Sequence, residues 1–175
     1  MRGGLLADAL LPSAGVSVGD RDLVREVLGE LGARQLFWKI DIKPGRPTAF
    51  ALAGRTPVFS LPGNPVATLL TFEQFVRPAL LRMMGHARVL RPLVPAKLEG
   101  GLQRRPGRVE FVRVRLERGP DGLVATSAGD QATGMLKTLL RADGLVVVPA
   151  ERGAIAPGET VEVQVLRGEL VPWEA

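Results

Sequence analysis

Hydrophobic and polar positions along the first half of the chain follow two alternating periods. Residues 6–12 (LADALLP) read as a short strand that runs into PSAGVSVGD, where Gly15 and Gly19 bracket a turn and Asp20 is placed to cap a helix. DRDLVREVLGELG then repeats at helical spacing, with Leu23, Val27, Leu28 and Leu31 on one face and Gly32 placed to end it. ARQLFWKIDI changes to period two, putting Trp38, Ile40 and Ile42 on one strand face and Lys39, Asp41 and Lys43 on the other. If that strand stays regular, the two lysines point the same way, about 13 Å apart. Two more short strands follow at 48–53 and 57–61, broken by Gly54 and Arg55. LPGNP opens the longest helix: Asn64 caps it and Pro65 takes the first helical position. Val66, Leu69, Leu70, Phe72, Val76, Leu80, Leu81 and Met84 give that helix a broad apolar face. Pro78 predicts a kink, because it removes a backbone donor, and Gly85 predicts the end.

Beyond residue 86 the helical period gives way to β-rich runs at 88–98, 108–118, 122–127, 144–149 and 160–166, separated by Gly, Pro and Asp turns. One short helix, 134–142, interrupts them. The pattern predicts an α/β class with two domains, residues 1–86 forming part of an α/β layer and residues 87–175 a β domain. An α/β layer of that size, with two helices and few strands, leaves part of its sheet uncovered.

Composition narrows the chemistry. The chain has 175 residues, 46% hydrophobic and 23% charged, as expected for a folded globular protein. Cysteine is absent and His86 is the lone histidine, which excludes disulfides, thiolate chemistry and histidine or cysteine metal clusters. No apolar run reaches the roughly 18 residues that cross a bilayer, and the N-terminus lacks a signal-peptide pattern. The expected location is cytoplasmic, with no membrane partner. The net charge of +5 favours anionic ligands. Of 23 cations only four are lysines (Lys39, Lys43, Lys97 and Lys137), and two of these fall within FWKIDIKPGRP. An ammonium is a compact, adaptable charge where a guanidinium is a flat fork, so retained lysines mark a candidate oxyanion site.

Each motif also has a plainer explanation. SAGVSVGD is a strand-to-helix turn that needs small residues, or a cradle of amides for an anion; Asp22 is a first-turn carboxylate favoured by the helix dipole, or a ligand. LPGNP is an efficient cap, or a rigid loop lining a cleft. Six arginines lie between 104 and 118, with Arg113 and Arg115 on one strand face. They suit a solvated barrel surface or nucleic acid, although a chain without tyrosine offers a thin stacking platform. Gln131 and Thr133 precede the short helix as caps or as oxyanion donors.

The order SAGVSVGDRD, FWKIDIKPGRP, LPGNPVATLLTF, SAGDQATGML resembles the C-terminal part of the molybdopterin molybdenumtransferase family, which includes the enzymatic domain of gephyrin, from about residue 7 to 166. The resemblance implies a truncated molybdopterin-binding, doubly wound α/β/α domain followed by a small C-terminal β-barrel. It implies magnesium-assisted transfer of molybdenum from molybdate onto adenylylated molybdopterin, with release of AMP. Its acidic residue matches Asp22, expected to bind metal or assist hydrolysis, and its strand lysines match Lys39 and Lys43. Substrate-binding positions match Arg46, Pro62, Asn64, Pro65, Arg113 and Thr133, and the oxyanion is expected in a cleft between the two domains.

Three departures accompany the match. Ala14-Gly15 replaces a double glycine, Ala67 stands where many relatives have serine, and Arg46 replaces a frequent lysine. The family's two N-terminal domains and the TGDE-type opening of its α/β domain have no counterpart. The chain is therefore expected to be inactive alone, acting as a homo-oligomer or paired with a separate N-terminal part, with a small-molecule substrate. The alternatives are a non-catalytic molybdopterin-binding or assembly module and, third, a basic nucleic-acid binder.

Overall fold

The computed structural model describes residues 2–16 and 23–167, and the chain divides into two compact units, Met1–Val89 and Leu90–Ala175.

The first unit is built on a three-stranded antiparallel sheet of β1 (Arg34–Trp38), β3 (Ala49–Ala53) and β4 (Thr56–Ser60), in the order β1-β3-β4, with the two-residue strand β2 (Ile42–Lys43) outside it. β3 and β4 form a hairpin whose register pairs Ala53 with Thr56, leaving Gly54 and Arg55 as the two-residue loop. Gly54 has φ +61, the value that a type II′ turn requires at its first central position. The expected strand over 6–12 is replaced by a 3-10 turn at Arg2–Leu6 and an extended run with parallel bridges, Leu10 to Val58 and Ser13 to Leu61. Alternation then sends side chains to both sheet faces. Ala51 and Val58 pack with Leu28 of α1 (Val24–Glu30), whereas Phe50 and Phe59 pack with Val76, Phe72 and Leu80 on the other side. Helices on both faces give the α/β/α layering that the resemblance implies, around strands that here pair antiparallel.

The long helix starts and stops as its sequence dictates. Asn64 Oδ1 accepts from the amides of Val66 and Ala67 at 3.1 and 3.4 Å, with Pro65 as the first residue of α2 (Pro65–Thr71). Where a kink was expected, the backbone widens into a π segment, Phe72–Val76, before α3 (Arg77–Met83). Pro78 cannot donate to residue 74 and its ring crowds that carbonyl, and the extra residue per turn accommodates both. His86 N–H donates to Leu81 and Gly85 N–H to Arg82, a Schellman ending with Gly85 at φ +88. The predicted apolar face is too generous: Leu69 and Met84 are exposed.

The second unit is a closed barrel. Its five strands are β5 (Leu93–Leu98), β6 (Val109–Gly119), β7 (Gly122–Ser127), β8 (Gly144–Val148) and β9 (Thr160–Val165), ordered β6-β7-β5-β9-β8 with β8 returning to β6. All pairings are antiparallel except β5 with β7. Small and β-branched side chains fill the interior, among them Ala96, Val112, Val114, Ala125, Val146 and Val163. Gly144 is required by this packing, since a Cβ there would lie 2.5 Å from Val163 Cγ1. The short helix α4 is Leu136–Arg141.

Candidate functional site

Residues 39–48 do not continue the strand. β1 ends at Trp38, and Lys39 takes φ +65, a left-handed conformation that costs a non-glycine residue about 1–2 kcal/mol. The chain then closes a loop: Lys39 N–H donates to Thr48, Ile40 N–H to Arg46 and Ile42 N–H to Ile40, all at 2.9–3.0 Å. A regular strand would need laddering amides through residues 44–47, which Pro44 and Pro47 lack. The expected sharing of one strand face by Lys39 and Lys43 is therefore incorrect. Lys39 Nζ instead lies 3.8 Å from the centroid of the Trp38 ring, and Arg25 Cζ lies 3.9 Å from the same ring.

The turn at residues 43–46 is held from beneath. The Lys43–Pro44 peptide is cis and Gly45 has φ +124. A Cβ on Gly45 would fall 2.5 Å from Thr71 Cγ2 and 2.9 Å from Ile42 Cδ1, so the backbone rests directly on α2. Ile42 and Thr48 are buried, and Thr48 Oγ1 donates to the Gly45 carbonyl at 2.7 Å. Lys43 and Arg46 remain exposed on this fixed support. Arg46 Nε lies 3.9 Å from Asp41 Oδ1, a pair too solvated to neutralise it.

Two other motifs join the same framework. Ser13 Oγ donates to the Pro62 carbonyl at 3.3 Å, Ala14 N–H donates to Leu61 at 3.1 Å, and a Cβ on Gly63 would meet Ala14 Cβ at 3.0 Å. Ala14 and Gly15 both lie in the left-handed region, at φ +71 and +74. Trp38 Nε1 donates to the Val16 carbonyl at 3.0 Å. Thr68 Oγ1 closes the LPGNP loop, its single proton lying between the Pro62 and Asn64 carbonyls, 2.5 and 2.9 Å from the oxygen. Asn64 Oδ1, proposed from the sequence as substrate-binding, is already used as the helix cap. Asp22 lies outside the described residues. Among the described residues no three His, Asp or Glu side chains are grouped to hold a metal ion.

A cavity of about 280 Å³ also occurs in this unit, on the α1 side of the sheet, lined by residues including Leu28, Gly29, Ala51 and Ser60. It contains none of the sequence-predicted site residues. Arg25 Nε bonds Gln35 Oε1 at 2.8 Å at its rim.

In the barrel, the arginine run is not a uniform cationic surface. The Arg104 side chain is 5% exposed, donates to the Val148 and Arg108 carbonyls and lies 3.4 Å from Glu110. Arg113 is 1% exposed, although strand alternation puts it outside the barrel interior with Arg115, which is solvated. The 127–132 segment covers it. Arg113 Nη2 donates to the carbonyls of Asp130 and Ala132 at 3.2 and 3.3 Å, and its Nε to Gln131 Oε1 at 3.3 Å. Its Nη1 is buried and has no hydrogen-bond partner among the described residues. Burial pushes the Arg113 guanidinium below its ordinary value, and the nearby Asp130 charge partly opposes this. Thr133 is exposed and does not cap α4, whose first turn has no side-chain cap. Gln131, singled out as a possible oxyanion donor, is engaged with Arg113.

Comparison with known proteins agrees with this architecture. Residues 3–82 match the family model "Probable molybdopterin binding domain", and residues 95–166 match "MoeA C-terminal region (domain IV)". The molybdopterin molybdenumtransferase of Haemophilus influenzae is 34% identical over 160 residues, covering 90% of this chain and 39% of the relative. The molybdenum cofactor synthesis protein cinnamon of Drosophila melanogaster is 35% identical, covering 95% of the chain and 28% of the relative. A crystal structure of the molybdopterin biosynthesis MoeA protein of Pyrococcus horikoshii superposes with a TM-score of 0.75 at 31% identity, over 93% of this chain and 38% of that one. The chain thus spans under two fifths of the length of these relatives.

Proposed function

Because the chain belongs to the molybdopterin molybdenumtransferase family and matches its C-terminal part, we propose that it serves molybdenum cofactor biosynthesis by holding a molybdopterin-type anion and molybdate. The finer reaction is transfer of molybdenum from molybdate onto adenylylated molybdopterin, with release of AMP. One observation carries this reading. Three segments distant in sequence, 13–16, 38–48 and 61–71, are joined through Ser13 to Pro62, Trp38 to Val16 and Gly45 to Thr71, in a framework that leaves Lys43 and Arg46 exposed. Lys43 and Arg46 hold the oxyanion by charge-assisted hydrogen bonds. Lys39, placed over Trp38, adds positive potential. Amides of the LPGNP loop border the anion, fixed by Pro62 and Pro65. In the barrel unit Arg113, through Nη1, and the exposed Thr133 hydroxyl form a second anion-contacting element.

Because the chain spans so little of its relatives, the complete transfer is proposed only together with a polypeptide supplying the remaining part. Magnesium belongs to that complete reaction, and Asp22 is the residue of this chain proposed to meet it. Equilibrium dialysis against molybdate tests the binding claim directly. Lys43→Ala and Arg46→Ala each reduce uptake relative to the parent chain, and uptake equal to the parent in both variants overturns it. Co-expression with an N-terminal chain tests the second claim: restored transfer supports the paired enzyme, and continued inactivity supports a non-catalytic binding module.

A further inference from the structure

We propose that Gln131 is the positioning residue for Arg113, a role that rests on the oxyanion reading of Arg113 given above. Its amide acts as a substitute for a neighbouring strand. Oε1 accepts from the Arg113 backbone N–H at 3.0 Å and from Arg113 Nε at 3.3 Å. The two Nε2 hydrogens face the Arg113 carbonyl at 3.0 Å and the Gly129 carbonyl at 2.9 Å, and Nε2 lies 3.3 Å from Ser127 Oγ. One side chain thus bonds both backbone groups of Arg113, whose carbonyl also accepts from the Ala128 N–H at 3.0 Å, and grips the guanidinium at its Nε.

The consequence follows from counting donors. A guanidinium carries five N–H groups in a rigid plane. Nε is committed to Gln131, and Nη2 to the carbonyls of Asp130 and Ala132. Among the described residues, Nη1 alone is left buried and without a partner. An enclosed donor on a cation that no acceptor meets is costly, and an anion is the partner that suits it. Fixing Nε and Nη2 fixes the plane, and the plane fixes where Nη1 can donate.

The chemistry also explains the residue type. The position needs an acceptor facing Arg113 N and Nε and a donor facing two carbonyls, which an amide supplies together. Glutamate would face the Arg113 and Gly129 carbonyls with no hydrogen to give. Asparagine is one methylene short of the strand. Gln131 is accordingly no ligand itself, since both ends of its amide are used internally.

The test uses the full chain with sodium molybdate as probe, in equilibrium dialysis of the parent, Arg113→Ala, Gln131→Met, the double variant and the control Arg115→Ala. Arg113→Ala and Gln131→Met each weaken binding about tenfold, the double variant is no weaker than Arg113→Ala, and Arg115→Ala matches the parent. If Arg113→Ala weakens binding while Gln131→Met equals the parent, or if the two effects add, the positioning role is overturned and the oxyanion reading stands. If the parent takes up no molybdate, or Arg113→Ala equals it, the oxyanion reading fails and the inference with it. Nitrogen-15 NMR supplies a measurement independent of ligand and variant. The Arg113 Hε is slow to exchange in the parent, and a fast-exchanging Hε overturns the clamp. Gln131→Met accelerates that exchange at least tenfold, which a general loss of barrel stability would spread over every strand instead.

Discussion

The two units hold their basic side chains by opposite means. In the first, the backbone is buried and the charge is exposed: Gly45 is wedged on Thr71 while Lys43 and Arg46 reach solvent. In the second, the charge itself is buried, and backbone carbonyls fix Arg113 in place. Between Lys43 and Arg113 the difference follows the chemistry of the two cations. A planar fork can be pinned by acceptors at fixed angles and loses little further freedom, whereas an ammonium on a flexible stem is hard to pin and keeps its hydration cheaply. Lys43 thus suits the exposed turn, where a compact charge keeps its hydration, and Arg113 the enclosed strand.

If this contrast is correct, the largest effect comes from disturbing the buried backbone of the first unit. Gly45→Ala places a Cβ 2.5 Å from Thr71 Cγ2 at φ +124, combining backbone strain with overpacking. A loss of about 3 kcal/mol is expected, measurable by urea unfolding. An unchanged midpoint would show that the turn is not supported by α2.

Next in size is the buried charge of the second unit. Arg113→Ala removes donors from the Asp130 and Ala132 carbonyls and leaves a void beside Gln131. About 2 kcal/mol is expected, confined to the barrel's transition. Equal destabilisation by Arg115→Ala, on the same strand face but solvated, breaks the comparison.

These two positions also mark how far sequence could reach. LPGNP was readable because capping is local: Asn64, Pro65 and the amides of 66 and 67 are neighbours in the chain, and nothing distant is needed to predict their geometry. The barrel strands were readable because β-branched runs between Gly and Pro turns have few alternatives. Lys39 was not. Its neighbours favour strand, and only the closure of residues 40–48 back onto the chain selects a left-handed backbone there. Arg113 could be placed outside the barrel interior by alternation, but alternation says nothing about which loop will cover that face. Gln131 carried a faint signal, a long amide two residues after Gly129, yet its partner is 18 residues away.

A smaller effect isolates the cap from the site. Asn64→Ala removes the acceptor for Val66 and Ala67 and is expected to cost about 1 kcal/mol in the first unit. Asn64→Asp keeps that acceptor and most of the stability. If Asn64 serves chiefly as a cap, molybdate affinity measured on the folded protein is the same for Asn64→Asp and the parent; a lower affinity would give the side chain a contact with substrate.

The smallest effect on stability belongs to Lys43, and it is the sharpest test of the contrast. Its side chain is exposed, so Lys43→Ala leaves the melting temperature within about 2 °C while weakening molybdate binding about tenfold. Lys43→Arg separates charge from shape. If the anion needs only a positive potential, arginine binds it as well as lysine does. If it needs a compact donor that can adjust around a tetrahedral oxyanion, arginine recovers part of the affinity lost by alanine and falls short of the parent. That intermediate result is the one expected, because Gly45 and Thr71 fix the position of the turn beneath residue 43 and leave a longer, flat side chain little room to be re-aimed by moving the backbone.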